Sequence, residues 1–153
     1  MGTCPIGGSC RRHKLAFLTF SSDLVFNGQQ NAPYIESDLV APLHTYEKSK
    51  AEAEKGVLEQ YPGALVIRTS AFFGPWDEYN YISMALRALR QGTLCMAAGD
   101  ATISPTYVPD LVHAALDLLI DNACGIWHLS NGDAVTWPNW RYGPLAPAVS
   151  TNS

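Results

Sequence analysis

Residues 45–70 read TYEKSKAEAEKGVLEQYPGALVIRTS, and their reading decides the fold. The first part is rich in good helix formers, with Thr45 placed as an N-cap behind Pro42 and Pro62-Gly63 as a stop. The second part, ALVIRTS at 64–70, is apolar until a polar tip, as a buried strand of a parallel sheet is. Residues 15–21 (LAFLTFS) form the same kind of run and lead into Ser21-Ser22-Asp23. Strand, helix and strand of this size make a βαβ unit, so the predicted class is α/β with a parallel sheet. In such sheets ligands bind at the carboxyl ends of the strands, where Ser22 and Thr69-Ser70 fall.

Two residues of the helix carry a chemical signal. Tyr46 and Lys50 are four apart, so they project from one helical face, one above the other. An ammonium so placed favours the ionised form of the phenol, which can then exchange a proton near neutral pH. A hydroxyl from Ser22 could hold a carbonyl against that phenol. The constellation suits proton-coupled hydride transfer at a carbonyl. A Tyr and a Lys at this spacing also occur on plain solvated helix faces, and the ordered set around them makes the pattern specific.

The remaining chain divides into a middle and two ends. Residues 1–14 show no period, and Gly7-Gly8 lacks the strand and spacing of a phosphate loop. They are expected to be irregular. Residues 27–42, with Asn27-Gly28 and two prolines, read as a surface loop. Asp77 to Gln91 is expected to be helical with Tyr79, Ile82, Leu86 and Leu89 on one face and Gly92 as its stop. A short strand is expected over Thr93 to Ala97. Pro109 sits in the first turn of a helix running to about Ile120, with Leu111, Val112, Ala115, Leu116 and Leu119 inward. Gly125 to Ser130 reads as a final strand. Residues 133–153, including Trp137-Pro138-Asn139-Trp140, read as loop and tail. The expected organisation is thus an irregular segment at 1–14, a domain at 15–132 and an irregular tail at 133–153.

Composition excludes several classes. With 153 residues, 47% hydrophobic and 16% charged, the chain is globular. A net charge of −4 with no basic block argues against nucleic-acid binding. No apolar run reaches the length of a membrane span, and residues 1–14 lack a signal-peptide core, so a cytoplasmic location is expected. Cys4, Cys10, Cys95 and Cys124 form no CxxC pair, and His13, His44, His113 and His128 have no ligand spacing. Reduced thiols and no metal are expected. Arg87 and Arg90 read as solvated.

The ordered motifs resemble a known family. Ser21-Ser22-Asp23-Leu24-Val25-Phe26-Asn27-Gly28, Pro33-Tyr34-Ile35-Glu36, Pro42, Tyr46 to Lys50, Arg68-Thr69-Ser70, Ser104-Pro105-Thr106-Tyr107-Val108 and Gly125 to Ser130 are similar to the later part of the extended short-chain dehydrogenase/reductases. The branch resembled is dTDP-4-dehydrorhamnose reductase and its sugar-nucleotide-binding relatives. The resemblance implies the later half of a Rossmann-like parallel sheet with remnants of the substrate-binding region. It implies Ser22 as catalytic hydroxyl, Tyr46 as proton donor and Lys50 as the group that eases proton release and holds the nicotinamide ribose. Ser21, Thr69 and Ser70 would join Tyr46 and Lys50 around the cofactor, NADP or NAD. Asp23 would lie beside the sugar. The implied reaction is hydride delivery to the keto group of a 4-keto nucleotide sugar, dTDP-linked.

Three departures from the family pattern shape the expectation. The Gly-rich dinucleotide-binding half, which cradles the pyrophosphate, has no counterpart before residue 10. Glu47 stands where the family usually has Gly, and its carboxylate could compete for Lys50 or make the Tyr46 phenol harder to ionise. Ala71 stands where the branch often places an aromatic. Turnover is therefore expected only when a cofactor-binding half is supplied. The alternatives are a non-catalytic sugar-nucleotide-binding or regulatory module and a truncated remnant without activity. A sheet lacking its first strands would expose an edge, so self-association or a partner chain is expected.

Overall fold

The computed structural model describes residues 5–93, 102–132 and 134–136. Its contacts divide the chain into two units, Met1–Thr69 with His113–Leu129 and Ser70–Val112 with Ser130–Ser153. This division cuts across the single domain expected over 15–132.

The first unit is a parallel α/β layer. Strands β1 (Leu18–Ser22), β2 (Leu65–Thr69) and β6 (Gly125–His128) form a sheet in the order β1-β2-β6. Both pairings are parallel, with Leu18 opposite Leu65, Ser22 opposite Thr69 and Arg68 opposite His128. The connection between β1 and β2 contains helix α2 (Thr45–Gln60), so the βαβ reading of 45–70 holds. β2 is the central strand, and all five of its residues are buried. That is why its sequence runs apolar without alternation.

Strand alternation sorts the buried side chains. Val66 and Arg68 share one face of β2, and Leu65 and Ile67 the other. Val66 joins Val57 of α2 and Ala64 in a core cluster, with Phe17, Leu58, Tyr61 and Ile126 packed around it. Arg68 therefore emerges on the α2 side of the sheet.

The amino-terminal segment differs from expectation. Pro5–His13 forms helix α1, where residues 1–14 were expected to be irregular. Arg11, Arg12 and His13 fall in its last turn, where cations favour the helix dipole. Arg11 also donates to the Gln60 carbonyl at 3.2 Å, a tie that local periodicity cannot reveal.

The second unit begins at Ser70. Strand β3 (Phe72–Phe73) pairs in parallel with β5 (Thr106–Tyr107), and β4 (Thr102–Ile103) pairs antiparallel with β7 (Val135–Thr136). Helix α3 (Tyr81–Arg90) starts later than predicted. Asp77 and Asn80 side chains cap its approach, and Tyr79, expected on the inner face, is 85% exposed ahead of it. Gly92, with φ of 65°, supplies the left-handed residue that ends the helix. Arg87 and Arg90 are exposed, as read from sequence. The strand expected at Thr93 to Ala97 lies outside the described residues beyond Thr93, as does the Trp137 to Trp140 segment. β7 replaces two residues of the expected carboxyl-terminal tail.

Helix α4 (Val108–Ile120) has the predicted extent, and the unit boundary falls inside it. Leu111 and Ala115 are buried as expected. Val112 and Leu116 are 44% and 49% exposed, contrary to the expected inward stripe. They share a face with Ile120 at helical spacing, and that face stays about half open or more.

Candidate functional site

The site grows from the carboxyl end of β1 and the first turns of α2. Ser22 leaves β1 in an extended conformation and caps a single 3-10 turn, Asp23–Val25. Its hydroxyl accepts from the Leu24 N–H at 3.2 Å and donates to the Asp23 carboxylate at 3.1 Å. Both functions of the hydroxyl are therefore engaged. Presenting the proton to a carbonyl requires rotation away from Asp23, at a cost of about 1 kcal/mol for one hydrogen bond.

Tyr46 and Lys50 come together as their spacing predicts. The Lys50 ammonium lies 5.8 Å from the centroid of the Tyr46 ring. It also donates to the Phe20 carbonyl in β1 at 3.2 Å, which ties the helix to the strand that ends in Ser22. The Tyr46 side chain is open to solvent, with the residue 56% exposed.

Glu47 behaves differently from expectation. Its carboxylate turns back to accept the N–H groups of Leu43 and His44, each at 2.7 Å. His44, rather than Thr45, is the N-cap of α2. Glu47 therefore does not compete for Lys50; it is the third residue of the helix satisfying donors that the helix start leaves bare. The His44 N–H holds the Glu47 carboxyl below the usual glutamate range, against an opposing desolvation, and the Leu43 N–H adds to the lowering. A carboxyl held low contributes stability above its ordinary titration range and loses it as pH falls through that range. Glu47→Ala is expected to lower the melting temperature slightly near neutral pH. The difference should vanish in acid; thermal denaturation followed by circular dichroism at both pH values checks this.

The residues assigned to the cofactor divide. Ser21 is 7% exposed, and its hydroxyl finds no hydrogen-bond partner among the described residues. A buried unsatisfied hydroxyl calls for a partner. Thr69 is buried opposite Ser22 at the end of β2. Ser70 is buried at the start of the second unit. The Tyr46 phenol is open to a polar partner from solvent, whereas the Ser21 hydroxyl is buried. A Gly-rich phosphate cradle is absent among the described residues. No group of three or more His, Cys, Asp or Glu among them could hold a metal, and no described helix is long and apolar enough to cross a membrane.

Sequence reading missed a second constellation. Glu54, one turn beyond Lys50, is 4% exposed and forms a forked ion pair with Arg68. Arg68 Nε donates to Glu54 Oε1 at 2.9 Å and Nη2 to Oε2 at 2.7 Å. Arg68 Nη1 lies 3.3 Å from His128 Nε2, and the guanidinium covers the Phe26 ring at 5.0 Å. Phe26 stacks on Tyr34 with centroids 4.2 Å apart and planes at 9°. Glu36 accepts the His128 N–H at 2.9 Å, and His128 Nδ1 lies 3.2 Å from the Tyr34 carbonyl. One sequence signal was available: Tyr46, Lys50 and Glu54 recur at every fourth position on one face.

A parallel α/β unit with a serine at the end of one strand and Tyr-x-x-x-Lys on the next helix defines a unit of the short-chain reductase type. The chain belongs to the RmlD substrate binding domain family, whose model matches residues 1–141. It is 33% identical over 145 residues to a dTDP-4-dehydrorhamnose reductase of Aggregatibacter actinomycetemcomitans, covering 91% of this chain and 49% of that protein. It is 32% identical over 130 residues to methionine adenosyltransferase 2 subunit beta of Danio rerio, covering 79% and 40%. The structure resembles dTDP-4-dehydrorhamnose reductase from Bacillus anthracis, solved in complex with NADP, at a TM-score of 0.83 and 26% identity over 88% of this chain and 48% of that one. The chain thus spans about half the length of these relatives.

Proposed function

We propose that this chain supplies the proton-handling part of a dTDP-4-dehydrorhamnose-reductase-like enzyme. The reaction is NAD(P)H-dependent reduction of a 4-keto nucleotide sugar, run when a cofactor-binding half is provided. The observation that carries the reading is Lys50, placed beside the Tyr46 ring and tied to the strand that ends in Ser22.

A bound reduced nicotinamide supplies the hydride that reaches the keto carbon. Ser22, turned off Asp23, would hold the keto oxygen. Tyr46 would give its phenolic proton to that oxygen as negative charge develops there. The Lys50 ammonium would offset the charge left on the phenol oxygen. Asp23 would lie beside the sugar, and Ser21, Thr69 and Ser70, with Tyr46 and Lys50, would contact the cofactor. NADP is favoured by the NADP complex of the Bacillus anthracis relative.

A second reading is a non-catalytic nucleotide-sugar-binding or regulatory module. It is favoured by the engagement of the Ser22 hydroxyl with Asp23 and by similarity to a subunit of a different enzyme. Under either reading β1, which has one strand neighbour among the described residues, would pair with a second copy or a partner chain.

Separate titrations of NADPH and a dTDP-linked sugar, read by melting temperature, test these readings. Stabilisation by the sugar nucleotide, with turnover on adding a cofactor-binding half, is the expected result. Stabilisation by the sugar nucleotide without turnover would favour the module. A melt that neither ligand moves would sink both.

A further inference from the structure

We propose that Arg68 positions the Tyr46–Lys50 pair, clasping α2 through Glu54 and the 27–42 loop through His128, and that the clasp closes only with His128 neutral and its proton on Nδ1. This deepens the proposed function and rests on it for the role of the site.

The donor inventory fixes the tautomer. A guanidinium has N–H donors and no acceptor. Arg68 Nη1 at 3.3 Å from His128 Nε2 therefore requires a lone pair on Nε2. The ring proton then sits on Nδ1, which faces a carbonyl oxygen, that of Tyr34, at 3.2 Å. The Tyr34 contact demands a proton on Nδ1 and the Arg68 contact a lone pair on Nε2, and only together do they single out this neutral form. A second proton would set an N–H against the Arg68 N–H and place two like charges together.

The groups around the ring come from each side. Arg68 approaches from β2, Glu54 from α2, and Glu36 with the Tyr34 carbonyl from the loop. The Phe26 ring meets the imidazole edge-on at 5.8 Å. Burial is the largest influence and holds His128 below the ordinary histidine value; the Glu36 charge opposes it and the Arg68 charge reinforces it. A histidine held low in the fold contributes stability above its ordinary range, and the contribution is lost as pH falls through that range.

The clasp reaches the site from both sides. The 27–42 loop lies between Ser22 and Tyr46, and the Glu36 and Tyr34 bonds to His128 tie it to the sheet. Glu54 is one helical turn from Lys50 and two from Tyr46, so the forked pair sets how α2 lies over β1 and β2. Lys50 reaches the Phe20 carbonyl only in that placement. A forked Arg–carboxylate pair fixes orientation as well as distance, which a single bond does not.

Nitrogen-15 NMR of the full chain with labelled histidine tests the tautomer, His128→Gln providing the assignment. The expected signal is a neutral ring with its proton on Nδ1, persisting as pH falls through the ordinary histidine range. A proton on Nε2, or a ring already protonated at the upper end of the ordinary histidine range, would overturn the proposal. Once His128 protonates, repulsion by Arg68 is expected to swing the ring away and take its Nδ1–H off the Tyr34 carbonyl, so that amide exchange in the 27–42 loop, corrected for intrinsic rates, rises about tenfold, the factor lost with one charge-assisted hydrogen bond. Unchanged loop exchange would count against the clasp.

Glu54→Gln is expected to speed exchange in 45–53 and to remove the ring-current shift that Tyr46 imposes on the Lys50 methylenes, while β6 stays protected. Retention of that shift in a folded Glu54→Gln chain would refute the positioning role. Should this variant fail to fold, the tautomer and the acid-induced loop opening of the unaltered chain decide. None of these readouts needs a nucleotide sugar or hydride donor. A failure of the enzymatic reading therefore shows separately, as absent ligand stabilisation with an intact clasp.

Discussion

Arg68→Met is expected to cost about 3–5 kcal/mol of stability, the range for removing one partner of a buried ion pair. Arg68 is 4% exposed, and its partner Glu54 is equally buried. Methionine fills most of the volume but leaves the Glu54 carboxylate in the protein interior without its two donors. The same change removes the donor facing His128 and the cation over Phe26. A loss of this size is a large part of the total stability of an ordinary domain. Arg68→Met combined with Glu54→Leu should recover much of it, because an apolar pair carries no unmet desolvation. Urea denaturation of the unaltered chain and the two variants measures both quantities. A single-variant loss below about 1 kcal/mol, the scale of an exposed ion pair, would show that the pair is solvated in solution.

Tyr46→Phe is expected to leave the fold intact and to abolish most turnover. Tyr46 is 56% exposed, so loss of its hydroxyl should change stability by no more than about 0.5 kcal/mol, as surface substitutions do. In an assembly that includes a cofactor-binding half, removing the proposed proton donor should lower kcat by about 10²–10⁴-fold if the proposed reaction runs there. The proposed nucleotide-sugar binding, which does not depend on the phenolic proton, should survive. Steady-state kinetics and a ligand melt on the same preparation separate the two effects. Undiminished kcat would remove Tyr46 from the reaction and favour the binding-module reading.

The helix and strands of the first unit were legible because each is a local pattern. Residues 64–70 run apolar because β2 is buried on both faces, and α2 is bounded by signals within one turn of its ends. Tyr46 and Lys50 could be paired from spacing alone, since four residues return a helix to the same face. The 5.8 Å approach bears that out. Glu47 was misjudged for a related reason. Its spacing placed it near Lys50, but the bare N–H groups of Leu43 and His44 lay closer and competed better. On α4, hydrophobicity alone marked Val112 and Leu116 as inward, although the described neighbours cover only the Leu111 and Ala115 side.

By itself the sequence determined the parallel α/β class, the placing of a serine at a strand end and a Tyr–Lys pair on the next helix, and the family to which these belong. Periodicities of two and of about four residues are set by backbone geometry and need no distant partner. Only the tertiary structure decided which side chains Arg68 and His128 would meet, that the Ser22 hydroxyl donates its hydrogen bond to Asp23, and that Glu47 serves the helix end. Glu54 and Arg68 are fourteen residues apart, and Arg68 and His128 sixty. Contacts across such separations depend on strand order and register, and no local pattern encodes either.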